Sequence, residues 1–194
     1  GLPLATKGFD VRAGNFNPDW TAGFRNSFKY KDFSMSFLVD FRIGGEVISY
    51  TQARMAGLGV SDITLAGREG GIVVPGVVAN GDGSYSPNTT SITAEQYWTS
   101  IGQRDPVAEP FIYDATNIRL RELVFGYSLP KRLLGDSGFK SIDFSLVGRN
   151  LFFFVNKAKY FDPENGAGTG NLQGVESFNI PSTRDYGVNV KFGF

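Results

Sequence analysis

Strict alternation of apolar and polar residues over eleven-residue stretches constrains this chain more than any other feature. In Trp20–Tyr30, the residues Trp20, Ala22, Phe24, Phe28 and Tyr30 alternate with Thr21, Gly23, Arg25, Ser27 and Lys29. After Lys31-Asp32 the pattern restarts, with Phe33, Met35, Phe37, Val39, Phe41 and Ile43 on one side and Ser34, Ser36, Leu38, Asp40 and Arg42 on the other. It returns in Arg184–Phe194, where Tyr186, Val188, Val190, Phe192 and Phe194 alternate with Asp185, Gly187, Asn189, Lys191 and Gly193. Over the three stretches one face is apolar at 16 of 18 positions and the other at 1 of 15, a separation that fits strands and no helix.

Two further strands are predicted. Ile142, Phe144 and Leu146 alternate with Asp143 and Ser145 and run into the apolar Leu151–Val155. Ile118–Leu129 alternates as well, but its phase slips near Arg121-Glu122. A bulge there would restore one apolar face; alternatively the strand begins at Leu123.

The connections differ in length. Lys31-Asp32 is a tight link and Leu129–Ser141 a moderate one, whereas Gly44–Asn117 and Asn156–Thr183 are long and rich in Gly, Asn, Ser and Pro. Loops beyond about 15 residues are uncommon in compact soluble domains and are usually functional. Short helices are expected over Val47–Leu58 and Thr93–Ile101, the second opened by a Thr93/Gln96 capping box. No repeat or domain boundary other than these loops is visible, so residues 1–194 read as one all-β segment.

Strand length bears on the environment. Soluble strands are usually about 5–6 residues. Eleven residues at about 3.3 Å each reach about 36 Å, enough, when tilted, to cross the apolar band of about 25 Å of an outer-membrane barrel. On that reading Phe24, Phe28, Phe37, Val39, Phe41, Val188 and Val190 face lipid, and Arg25, Lys29, Asp40, Arg42 and Lys191 face a wet lumen. With the Lys31-Asp32 turn in the periplasm, both long loops fall on the extracellular side. The alternative is a soluble or surface β-sandwich that binds carbohydrate, because one-sided antiparallel sheets alternate in water too.

Composition narrows the chemistry. The chain has no His and no Cys, which removes Cys/His zinc sites, thiol nucleophiles and His-based triads. Lys+Arg and Asp+Glu are 19 each, so no global field draws the chain to nucleic acid. No enzyme activity and no cofactor are expected.

Asn117-Ile118-Arg119-Leu120-Arg121-Glu122-Leu123-Val124-Phe125-Gly126-Tyr127-Ser128-Leu129-Pro130 resembles a stretch typical of SusC-like TonB-dependent transporters. So do Gly148-Arg149-Asn150-Leu151-Phe152 and, further on, Tyr160-Phe161-Asp162-Pro163-Glu164. The resemblance runs from about Asn17 to Phe194. It implies five antiparallel strands from the C-terminal part of a transmembrane barrel of the 22-stranded, plugged kind, in an outer-membrane importer of oligosaccharides or peptides. It also implies a plug and further strands outside this chain, a SusD-like lipoprotein, a TonB complex acting through the missing regions, and outer-membrane lipid as surroundings. Tyr186, Phe192 and Phe194 are then similar to the C-terminal signal read by barrel-assembly machinery.

Other motifs have plainer readings. Gly166-Ala167-Gly168-Thr169-Gly170 lacks the strand and helix a phosphate loop needs and reads as a flexible loop. Asp162, Glu164, Asn165 and Asn171 are oxygen donors without EF-hand spacing and read as a solvated loop. The apolar run Ile72–Val78 is expected to pack on a neighbouring loop or a partner. Tyr97-Trp98 is expected to anchor its loop, with stacking on a sugar ring as the other reading.

Overall fold

The computed structural model describes residues 1–6, 11–135, 137–168 and 170–194. They form two units: residues 16–46, 114–165 and 180–194 in one, and residues 1–15, 47–113 and 166–179 in the other.

The first unit is a single five-stranded sheet of β1 (Trp20–Tyr30), β2 (Phe33–Ile43), β3 (Asn117–Ser128), β4 (Ser141–Asn156) and β5 (Asp185–Gly193). Spatial order follows chain order, and each neighbouring pair is antiparallel. Tyr30 pairs with Phe33 across the two-residue turn, in which Lys31 takes a positive φ of 53°. The register carries the alternation across the whole sheet. Val39 lies opposite Phe24 on one side and Leu120 on the other; Tyr127 lies opposite Phe33 and Phe144, and Leu146 opposite Phe125 and Val188. Phe24 and Phe28 both approach Phe37, with ring centroids 5.9 and 6.2 Å apart, and Phe33 approaches Tyr127 at 4.8 Å. Such pairs add about 0.5–1.5 kcal/mol each beyond area burial.

The phase slip in β3 is a bulge. Leu38 of β2 faces Glu122 and the next residue, Val39, faces Leu120, so Arg121 is the extra residue. On the other side Arg149 faces Glu122 and Phe152 faces Leu120, so Asn150 and Leu151 of β4 both stand against Arg121. Asn150 takes a φ of 51°, the left-handed region that Asn tolerates better than most residues. Because Arg121 is the extra residue, Ile118 and Leu120 stay on the same face as Leu123, Phe125 and Tyr127. The strand therefore begins at Asn117 rather than at Leu123.

The second unit is built from the long connections. Helix α1 (Tyr50–Gly57) and helix α2 (Ala94–Ile101) pack around Ala53, Ala56, Ile101 and Phe111. Thr93 caps α2 with the capping box expected from its sequence, Thr93 Oγ1 accepting from Gln96 N–H and Gln96 Oε1 from Thr93 N–H. The earlier helix is shorter than its sequence suggests. Its first residues form a strand, Glu46–Ser49, in which Ile48 and Ser49 run parallel to Val175 and Glu176. Ser49 then caps α1 by accepting from Gln52 N–H. α1 and α2 touch at backbone level, since a Cβ on Gly57 would collide with the Gly102 carbonyl. The apolar run divides between two small ladders, Ile72–Val73 with Ser91–Ile92 and Val77–Ala79 with Tyr85–Pro87, and leaves Val73, Val77 and Val78 exposed.

Candidate functional site

The sheet unit has one apolar face, which it leaves largely open, and one polar face, which carries a partly buried cluster of charges. Phe24 is 51% exposed and Val188 71%, and Phe28, Phe125, Phe144, Leu146, Val190 and Phe192 are exposed as well. Among its buried side chains are Arg119, 3% exposed, Asp162, 8% exposed, Asn117 and Thr116. A water-soluble sheet buries its apolar face; this one leaves it open.

Buried polar groups need partners, and the aligned bulges supply them. With Arg121 as the extra residue, Arg119, Arg121 and Glu122 all come to the polar side of β3. Arg119 Nη1 donates to Asp162 at 3.3 Å and to Glu164 at 3.0 Å, and Arg119 Nη2 donates to Ser182 Oγ at 2.6 Å. Arg121 donates to Asp40 at 2.6 Å, to Glu164 at 2.7 Å and to Asn150 Oδ1 at 3.0 Å. Ser182 O–H donates to the Asp162 carboxylate, and Glu164 N–H closes the turn onto Asp162 Oδ1. Two guanidinium groups thus meet three carboxylates, and Glu164 bridges both arginines. The Arg119 guanidinium also lies 4.5 Å from the centre of the Phe153 ring. A second ladder runs across the same face, with Glu122 accepting from Arg25 at 3.2 Å and from Arg149 at 3.3 Å.

Asp162 and Glu164 are therefore not a solvated loop: they are the acidic half of this network. The paired arginines on one strand face are the signal for it, but the sequence does not say which distant carboxylates meet them. Further along, Lys157 Nζ donates to Asp114 at 2.7 Å. Partial burial pushes the Asp114 carboxyl up, but hydrogen bonds from Lys157 and Thr116 and the lysine charge outweigh it and hold the group below the usual carboxylate range.

The residues singled out from sequence fall in three places. Phe24, Phe28, Phe37, Val39, Phe41, Val188 and Val190 share the apolar face. Tyr186, Phe192 and Phe194 are exposed, and Phe139 packs on Phe192 and Phe194 at 5.5 and 5.1 Å. Tyr97 and Trp98 lie edge to face at 5.0 Å and pack against the α1–α2 core, as a loop anchor does. Trp98 also lines a cavity of about 740 Å³ with Arg68, Glu95 and Gln103. In the Gly166–Gly170 stretch, Thr169 lies outside the described residues. Among the described residues no helix is long and apolar enough to cross a membrane, which has no bearing on strands.

No family model matches the chain. TonB-dependent receptor P3 of Formosa agariphila is 27% identical over 187 residues, which cover 92% of this chain and 17% of the receptor. The RagAB peptide importer in its open-open state superposes with a TM-score of 0.64 at 22% identity, covering 92% of this chain and 17% of that one. Its closed-closed state gives a TM-score of 0.63 at 23% identity, covering 92% and 18%. The chain thus spans about one sixth of the length of these relatives, and its resemblance to a TonB-dependent receptor extends over nearly all of it.

Proposed function

We propose that this chain supplies five adjacent strands, with their loops, to the barrel of an outer-membrane TonB-dependent nutrient importer. The observation that carries the proposal is the sheet's open apolar face, with a partly buried charge network on the other side. Lipid suits the first and a wet lumen the second. A β-sandwich would cover the apolar face with a second sheet about 10 Å away. Among the described residues of the sheet unit there is no second sheet.

On this reading the chain is no enzyme and works with the rest of its barrel, a plug, a SusD-like lipoprotein and the TonB complex. The cargo is an oligosaccharide or a peptide. The two long connections lie outside the cell, and Tyr186, Phe192 and Phe194 carry the aromatic pattern used in assembly. The test is to express the full-length protein and follow its heat-modifiable, folded form in outer-membrane fractions. Folded protein there supports the reading; a detergent-free soluble monomer overturns it.

A further inference from the structure

β5 pairs with β4 only as far as Asp185 opposite Arg149. Beyond that level, a cavity of about 280 Å³ lies between β4 and chain segments 159–162 and 181–184. Three cationic side chains line it, Arg119, Lys159 and Arg184, against one carboxylate, Asp162. Asp162 is already saturated, accepting from Arg119, from Ser182 and from Glu164 N–H. Lys159 and Arg184 are exposed and, among the described residues, have no hydrogen-bond or ion-pair partner. Arg119 is 3% exposed, and its Nε donates to nothing.

Arg119 adds its positive charge beside the cavity while its Nη atoms hold the network. Two unpaired cations at the same cavity add a field that favours negative charge. Much of the remaining lining is aromatic: Phe152 and Phe153 on β4, with Tyr160 and Phe161.

We infer that this cavity binds a carboxylate attached to a ring. The carboxylate accepts from Lys159 and Arg184, and the ring lies against the aromatic lining. Two sources share this chemistry: a peptide ending in an aromatic residue, and a sugar acid. The inference goes beyond the import reading, because occupancy of the cavity needs neither a closed barrel nor an energy supply.

The test is calorimetric titration of the full chain in detergent micelles at low salt. The probes are N-acetylphenylalanine and glucuronate, each beside its uncharged counterpart, N-acetylphenylalaninamide and glucose. At least one acid is expected to bind, and its neutral counterpart to bind at least about tenfold more weakly, since charge-assisted hydrogen bonds are at stake. The tighter acid identifies the source. The double variant Lys159→Gln/Arg184→Gln, which alters exposed side chains and keeps the buried network, is expected to lose at least about tenfold in affinity and to flatten the salt dependence. The inference is overturned if neither acid binds, if acid and neutral probes bind alike, or if the double variant binds as the parent does. Binding by a chain that fails to enter outer membranes would count against the import reading alone.

Discussion

Arg121 of β3 and Asn150 of β4 face each other at the one level where both strands carry an extra residue, and the guanidinium donates to the Asn150 side-chain oxygen at 3.0 Å. The extra residue Arg121 keeps the apolar face of β3 continuous and gathers Arg119, Arg121 and Glu122 on the opposite one.

Asn150 holds this level in two ways, through a left-handed backbone and through hydrogen bonds with Arg121 and the Thr183 carbonyl. Asn150→Gly keeps the backbone and loses the side chain; Asn150→Ala loses both. The alanine variant is expected to be less stable than the glycine variant by about 1–2 kcal/mol, the cost of a Cβ in that region. Urea unfolding of the protein refolded into lipid measures the difference.

Phe37 and Ser36 are neighbours on opposite faces of β2, close to its middle. A charge facing lipid at the midplane costs about 2–4 kcal/mol, whereas lumenal positions tolerate it. Phe37→Arg should deplete the heat-modifiable form in outer membranes and Ser36→Arg should not. Equal depletion by the two would remove the face assignment.

Removing Arg119 leaves Asp162 buried without its cation. Arg119→Met should destabilise the protein by about 3–5 kcal/mol, as breaking one side of a buried pair does. Hydrogen exchange should rise first around 160–165 and 180–183, which the network ties down. Arg25→Met removes only an exposed partner of Glu122, which Arg149 still contacts, and should change stability by less than about 1 kcal/mol.

Gly57 and Gly102 fix the approach of α1 to α2. Gly57→Ala forces a Cβ into the Gly102 carbonyl and should loosen both helices, at about 1–3 kcal/mol for overpacking. Gly76→Ala, with nothing within 4 Å of the added carbon, serves as the control. Exchange protection of 50–57 and 94–101 separates the two.

The depressed Asp114 carboxyl predicts a pH dependence. Its contribution is present above the usual value of 3.8 and is lost as pH falls through the lower folded value. The pair is half exposed, so the effect is small. Asp114→Asn should flatten the acid limb of the stability profile of the 114–117 and 157 region, read by exchange protection between about pH 2 and pH 5.

Much of the sheet was legible in the sequence because a strand's faces are a local property. A period of two identifies each strand and its apolar side without reference to any neighbour, and even the slip at Arg121-Glu122 appears as a break in that period. The Thr93/Gln96 cap was legible for the same reason, since its atoms lie three residues apart. Asp162 and Glu164 read as solvent-facing because nothing within their own segment could satisfy them. Their partners, Arg119, Arg121 and Ser182, stand 20 to 45 positions away and reach them only once β3, β4 and the segment leading into β5 are side by side. Asn150's left-handed backbone was hidden likewise, because it is set by the register against Arg121 rather than by its own neighbours. The sequence alone determined which face of each strand is apolar; the tertiary structure decided which charges meet behind it, because ion pairs across strands depend on register, and register exists only between segments that have already paired.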